Sequence, residues 1–420
     1  MPRLAKTRIV GTSAAIRLAL PLAIPLAMAW SGTATSQSTV GNDQTQGGNV
    51  TASQQLDVVT DSSDTTAVTT ASGNSFIGSV VTGSLDVTSS QAVSGNVGAS
   101  TVINVAQDAG PTTVSVTAAT GNSGSSVILG GGTLSGSFLQ TSASPTVDAE
   151  SQINAANAQT SDASFSVQAV ANGQELGATD SAIGANVNQS NSATVTANGG
   201  VVVGDVSDQG SFVAIGAGNN LTSASQGASS QGLDVTQTNT GAVTQGAVFA
   251  NFGQSEITDT SSVATGNNAN ITNTQGALSV TTAQDNESFV HAETVETSFD
   301  WGGATVTAEA VGNSTVAANV GPSLALNNTQ LNGAQGVESS ASFQGDTGFD
   351  TFVSSSATGN AVTGFACSAC GGVMNVSNSQ TNLGDAAAST QIGLTGSARS
   401  VSGVATAVGN TATFYVSSPH

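Results

Sequence analysis

The sequence predicts an all-β fold: an elongated solenoid of the β-helix kind. Three observations predict it. A Gly-Asn step recurs about every 48 residues. Leu-x-Val triplets keep phase with that step, and alternating runs of small polar and apolar residues lead into it. Hydrophobic residues make up 38% and aromatics 4% of the 420 residues. Charged residues are only 7%, against about 25% in an ordinary globular domain.

The steps are Gly73-Asn74, Gly121-Asn122, Gly218-Asn219, Gly266-Asn267, Gly312-Asn313, Gly359-Asn360 and Gly409-Asn410. The long second interval holds a degenerate copy, Ala171-Asn172-Gly173, and Gly41-Asn42 opens a shorter first copy. Repeats therefore start near residues 41, 73, 121, 172, 218, 266, 312, 359 and 409. Each copy reads as several short strands, with the Gly-Asn pairs supplying positive φ for the turns. The period divides most simply into two coils of about 24 residues. At about 4.8 Å per coil, some 16 coils would make a rod about 75 Å long.

One copy cannot bury its own apolar face, whereas stacked copies can. Val, Leu, Ile and Ala fill the inward phase, with Phe76, Phe138, Phe165, Phe212, Phe289, Phe343 and Phe414 among the larger residues. The triplets are Leu56-Asp57-Val58, Leu85-Asp86-Val87, Leu233-Asp234-Val235, Leu278-Ser279-Val280, Leu324-Ala325-Leu326 and Met374-Asn375-Val376. In four copies a Gln stands six residues after the first of these: Gln91, Gln284, Gln330 and Gln380. Amides repeated at one phase are expected to stack as ladders that satisfy their own donors and acceptors.

Residues 1–36 carry the anatomy of a secretory signal peptide. A basic start (Arg3, Lys6, Arg8 and Arg17) precedes an apolar run from Leu18 to Ala29, then small residues. That run contains Pro21 and Pro25 and is shorter than the roughly 20 residues a membrane span requires. Cleavage is expected after Ala29 or after Ser36, with the second favoured, and no Cys stands nearby for a lipid anchor. The repetitive domain is then residues 37–420. It holds one basic residue, Arg399, against 26 acidic ones, a formal charge of −25. This balance disfavours nucleic acid and anionic lipid as partners. A phosphate loop requires a Lys, which the domain lacks. His291 and His420 are its only imidazoles. No catalytic residue, metal ligand or cofactor is assigned, and the chain is read as a structural or binding protein, not an enzyme.

Two local features stand out. Cys367-Ser368-Ala369-Cys370 is expected to form a disulfide that pins a loop tip in an exported chain. A redox role would need a thioredoxin-like βαβ context, and zinc a second pair of ligands. The most charged stretch runs from Asp285 to Trp301. Within it Trp301, Asp300, Glu293, Glu296 and His291 are candidate glycan contacts, because an indole face beside carboxylates can stack on a sugar and accept its hydroxyls. The competing readings are an exposed turn with Trp301 over a coil edge, and a carboxylate pair for glycoside hydrolysis.

The steps Ala119-Thr120-Gly121-Asn122, Ala264-Thr265-Gly266-Asn267 and Ala357-Thr358-Gly359-Asn360 combine with the leader and the Leu-x-Val…Gln lines. Together they resemble the D-type holdfast anchor proteins of stalked and budding alphaproteobacteria. The resemblance implies an exported, outer-membrane-associated surface protein. Such a protein helps hold the polysaccharide holdfast to the cell, alongside other anchor proteins of the same system. It brings no catalytic residues. The alternatives are a curli-like self-assembling fibre subunit, a general surface adhesin and a polysaccharide-cleaving β-helix enzyme. Curli units keep strict Ser, Gln, Gly and Asn positions that this chain does not. The expected partners are thus an extracellular polysaccharide and sister anchor proteins, with self-association open and nucleic acid excluded.

Overall fold

Alternating Val, Thr, Ser and Ala favour extended backbone, since β-branched residues fit a pleated, half-buried surface. The computed structural model describes residues 37–61, 63–367 and 372–417, all within the unit Thr35–His420. The expected signal peptide and Cys370 lie outside the described residues. Those residues form parallel strands wound into a solenoid, as the sequence predicts.

Eight short strands stack as one parallel sheet: Gln37–Gln46, Ser84–Val93, Thr133–Ser142, Ala182–Asn191, Gln231–Asn239, Ala277–Asn286, Ser323–Asn332 and Val373–Asn382. A second sheet is built from long strands, Thr146–Thr179, Thr194–Gln226, Val243–Thr274, Phe289–Val320 and Val337–Cys367. At the ends of the stack the long strand is split, as in Val50–Asp61 with Thr65–Val80, and Ala386–Leu394 with Ser400–Ser417. Each copy thus supplies several strands as expected: a short one and a long, bent one that is split in two towards the ends of the stack.

The coil size is corrected. Gln237 pairs with Gln284, and Gln284 with Gln330, so a full repeat separates stacked neighbours. One turn uses the whole period, not half of it. Eight turns at about 4.8 Å give a stack about 38 Å high, half the expected rod. The apparent half-period has a physical source: each turn has two walls. The short strand and the first arm of the long strand form one wall, and the second arm folds back as the other. Leu233, Val235, Leu278 and Val280 of the short strands pack on Leu221 and Ile271 of second arms. Val195 and Val201 of a first arm pack with Phe212 and Ala214 of a second. Phe165 and Phe212 are neighbours on second arms and Phe252 meets Phe212 from a first arm, with tilted rings and centroids 5.1 and 5.5 Å apart.

Two amide ladders run the height of the stack. Asn74 Nδ2 donates to Asn122 Oδ1 at 2.8 Å, and the chain continues through Asn172, Asn219, Asn267, Asn313 and Asn360 to Asn410. Each donor points towards the following turn. The Gln ladder runs the other way. Gln91 Nε2 donates back to Gln44 Oε1, and the same bond recurs through Gln140, Gln189, Gln237, Gln284, Gln330 and Gln380. The opposed directions cancel the dipoles of the two rows. Both ladders bind the walls together, as in Gln237 Nε2 to Asn268 O and Asn219 Nδ2 to Thr238 O, each 2.8 Å.

None of the Gly-Asn glycines has positive φ. They are glycines because the walls come too close for a Cβ. On Gly218 it would lie 2.6 Å from Gly266 O and 2.8 Å from the Asn239 side chain. Gly41-Asn42 does not join this column, because Asn42 pairs with Ser89 in the short-strand sheet. Leu56-Asp57-Val58 likewise falls on Val50–Asp61, outside that sheet. One triplet is displaced by two residues: Gln231 stands opposite Leu278, and Leu233 opposite Val280. The buried Gln231 amide is satisfied by Ser225 Oγ at 2.8 Å, Thr272 O and Ser223 Oγ.

Candidate glycan-facing surface

Side chains alternate across a strand, so parity decides which residues of a charged stretch face outward. On Phe289–Val320 the odd positions His291 and Glu293 face out, with His291 Nε2 3.8 Å from Glu293 Oε2. Phe289 is outward too, stacked on His291 at 5.6 Å rather than filling the core. Glu296 falls on the even phase and is buried. At Phe299 and Asp300 two successive residues stay outside, and the phase flips. Phe299 swings out to 63% exposure, while Trp301 turns in and is 3% exposed.

Trp301 and Glu296 therefore do not offer faces to a glycan, which corrects the grouping of the five candidates. The indole lies edge-on to Phe343, with centroids 4.9 Å apart. It occupies space left by Gly345 and Gly348, where an added Cβ would come within 2.3 and 2.2 Å of the ring. Trp301 stands directly opposite Gly348 in the register. The glycine pair one repeat downstream was the sequence signal for a buried Trp.

Glu296 sits in a column between Ala250 and Phe343. From the opposite wall, Thr258 Oγ1 donates to its Oε1 at 2.6 Å and Thr260 Oγ1 donates to Oε2. Burial away from water pushes its pKa up to about 7, although the two hydroxyls pull it back and neighbouring Asp259 adds a smaller rise. Glu293 and Glu296 lie on opposite faces of one strand. They cannot flank one glycosidic bond, as paired hydrolytic carboxylates must.

Asp300 does reach a usable surface. A groove of about 640 Å³ crosses four turns at the corner where the phase flips. Asp205, Glu256 and Asp300 supply carboxylates to it, and Phe349 an aromatic face. Phe299 and Ile257 are exposed at the same corner. At its far end Arg399 forks onto Asp350 and stands 5.4 Å above the Phe349 ring. That bond holds the Asp350 carboxyl below the usual carboxylate range. The single cation of residues 37–420 is thereby already matched, and the remaining carboxylates of the groove face solvent without one. Phe299, Phe349 and Glu256 were missed in the sequence because they sit where alternation breaks.

Cys367 is disulfide-bonded, and Cys370 lies outside the described residues. Among the described residues no cluster of His, Cys, Asp or Glu is arranged to hold a metal ion. No helix among them is long and apolar enough to cross a membrane.

A family model described as holdfast attachment protein D matches residues 59–336. No curated protein and no solved structure matches the chain.

Proposed function

Because the chain belongs to the holdfast attachment protein D family, we propose that it anchors the polysaccharide holdfast to the outer membrane by gripping the glycan directly. The observation that carries this reading is the corner groove. It presents carboxylates and an aromatic face across four stacked turns, in a solenoid with one basic residue, Arg399, among residues 37–420. Each contact is weak, and their repetition along one polymer supplies avidity. Aromatic faces stack on sugar rings, and carboxylates accept from hydroxyls and attract amines. The glycan is therefore one bearing amino groups, and the grip is weakened by salt, as exposed charge pairs are. The protein is exported through its leader and acts with sister anchor proteins at the cell surface.

The test is genetic and then biochemical. Cells lacking the gene are expected to make holdfast and shed it. Cells carrying Phe349→Ala with Asp300→Asn are expected to shed it too, although the purified variant keeps a β-sheet circular dichroism spectrum. Holdfast retained by the deletion strain would overturn anchoring. Retention by the double variant alone would move the contact away from this groove.

A further inference from the structure

Among the described residues both ends of the stack are open β-edges: Val373–Asn382, Ala386–Leu394 and Ser400–Ser417 each pair on one side only, as do Gln37–Gln46, Val50–Asp61 and Thr65–Val80. Inward residues of the last turn lack the cover their equivalents have one turn earlier. Val416 is 41% exposed where its partner Ala366 is fully buried, and Val401 is 47% exposed opposite the buried Thr351. At the other end Val40, Leu56 and Phe76 are only partly buried. Edges of this kind are templates for another strand.

The ladders say which strand fits. Every Asn before the last donates once to the next Asn and once to a backbone carbonyl, as Asn360 does to Asn410 Oδ1 and Thr381 O. Asn410 has the same amide, and no described residue lies beyond it to accept. At the opposite end Asn74 Oδ1 accepts no bond from a described residue. The Gln row is complementary in reverse. Gln380 Oε1 has only a long bond from Asn378, at 3.3 Å, where each earlier Gln receives the following Gln at 2.7–2.9 Å. Gln44 Nε2 spends one hydrogen on Ser75 O and has no preceding Gln for the other. The last turn thus offers an Asn donor and a Gln acceptor, and the first turn offers an Asn acceptor and a Gln donor.

We propose that copies of this chain stack head to tail, the first turn of one seated on the last turn of the next. Gln44 then donates to Gln380 of the neighbouring copy, and that copy's Asn410 donates to Asn74. Gln37–Gln46 adds to Val373–Asn382 in the register the other turns keep, which lays Val40 over Val376. Docking last turn on last turn would set one Asn410 donor against another, so a two-fold dimer is disfavoured. A head-to-tail contact does not close on itself and builds a filament. The filament would multiply the turns available to a glycan, but its formation does not depend on the glycan reading.

Asn410→Asp and Gln44→Glu test this selectively. Each keeps the oxygen that its own chain uses and removes a donor needed by the neighbour, Gln44→Glu also giving up the exposed bond to Ser75 O. The measurement is sedimentation velocity over a concentration series, for the full chain and for the chain processed after Ser36. The expected result is concentration-dependent association, in the processed form at least, where the chain begins at Gln37 of the first strand. Each variant is expected to weaken association about tenfold or more, since an interface polar group is left unpaired. Their mixture is expected to form dimers and stop, each variant supplying its one intact end. Val401→Asp reads the same last turn if Asn410→Asp loses its β-sheet spectrum. A monomer at every concentration in both forms would overturn the proposal. So would unchanged association of Asn410→Asp, or association in Gln44→Glu alone, which marks pairing of like ends.

Discussion

Replacing Asn267 by Leu is expected to lower the unfolding free energy by about 4 kcal/mol, although the two side chains have nearly the same size. The shape is kept and three bonds are lost. Asn219 Nδ2 loses its acceptor, Asn313 Oδ1 its donor and Asp285 O its partner, each at 2.8 Å in the native turn. Asn219 and Asn313 are fully buried, so water does not replace Asn267. A buried polar atom left without a partner costs about 1–3 kcal/mol. Asn74→Leu should cost less, because this first rung has one Asn neighbour rather than two. Urea unfolding followed by circular dichroism reads the difference. Equal losses at both positions would mean that the amides act singly and not as a ladder.

The second large effect concerns Glu296, whose carboxyl is lifted by burial to about 7 from an ordinary 4.5. The folded chain holds this proton more tightly than the unfolded one. Its contribution is fully present below about pH 4.5, falls as pH rises from there to 7, and is lost above. At about 1.4 kcal/mol per unit, the swing is roughly 3 kcal/mol. Glu296→Gln mimics the protonated acid and should match the native chain near pH 4.5. At pH 8 it should be more stable by roughly that amount. Taking the difference between the two chains removes other titrating carboxyls, such as Asp285, which burial also raises with help from Glu287. A difference independent of pH would place a permanent charge, or permanent acid, at this site.

Much of the architecture was legible because stacking in register makes every turn repeat the same demands. The Gly-Asn steps marked a column of Asn amides, and Gln91, Gln284, Gln330 and Gln380 marked a second. Gln44, Gln140, Gln189 and Gln237 belong to the same row but were obscured by degenerate or displaced triplets. Leu134-Ser135-Gly136 and Ile183-Gly184-Ala185 hold the same inward places with smaller groups. The coil size was misread because two walls of similar length alternate in the same way, and a strand pattern carries no information on which wall pairs with which. The Gly-Asn glycines look like turn residues in a linear sequence. Only the approach of Asn239 to Gly218 shows that space, not φ, selects them.

The candidate site was less legible than the fold. Period-two alternation assigns faces correctly until a bulge intervenes, and Phe299-Asp300 is such a place. There two successive residues stay outside, which sends Trp301 inside, and Gly302-Gly303 restore the original phase, so that Ala304, Val306 and Ala308 again face the core. Glu296 reads as a surface acid by type, yet its even phase with Val290 and Ala292 already places it on the core face.

The central claim is that one turn consumes a whole repeat, and a distance between turns tests it most directly. Thr88 and Asn327 lie in one outward column of the short-strand sheet, five turns apart. Spin labels at these two positions are expected to be separated by about 24 Å in a pulsed dipolar measurement, five steps of about 4.8 Å. A separation near 48 Å would mean ten coils between them, and the two-walled turn with its amide ladders would be wrong.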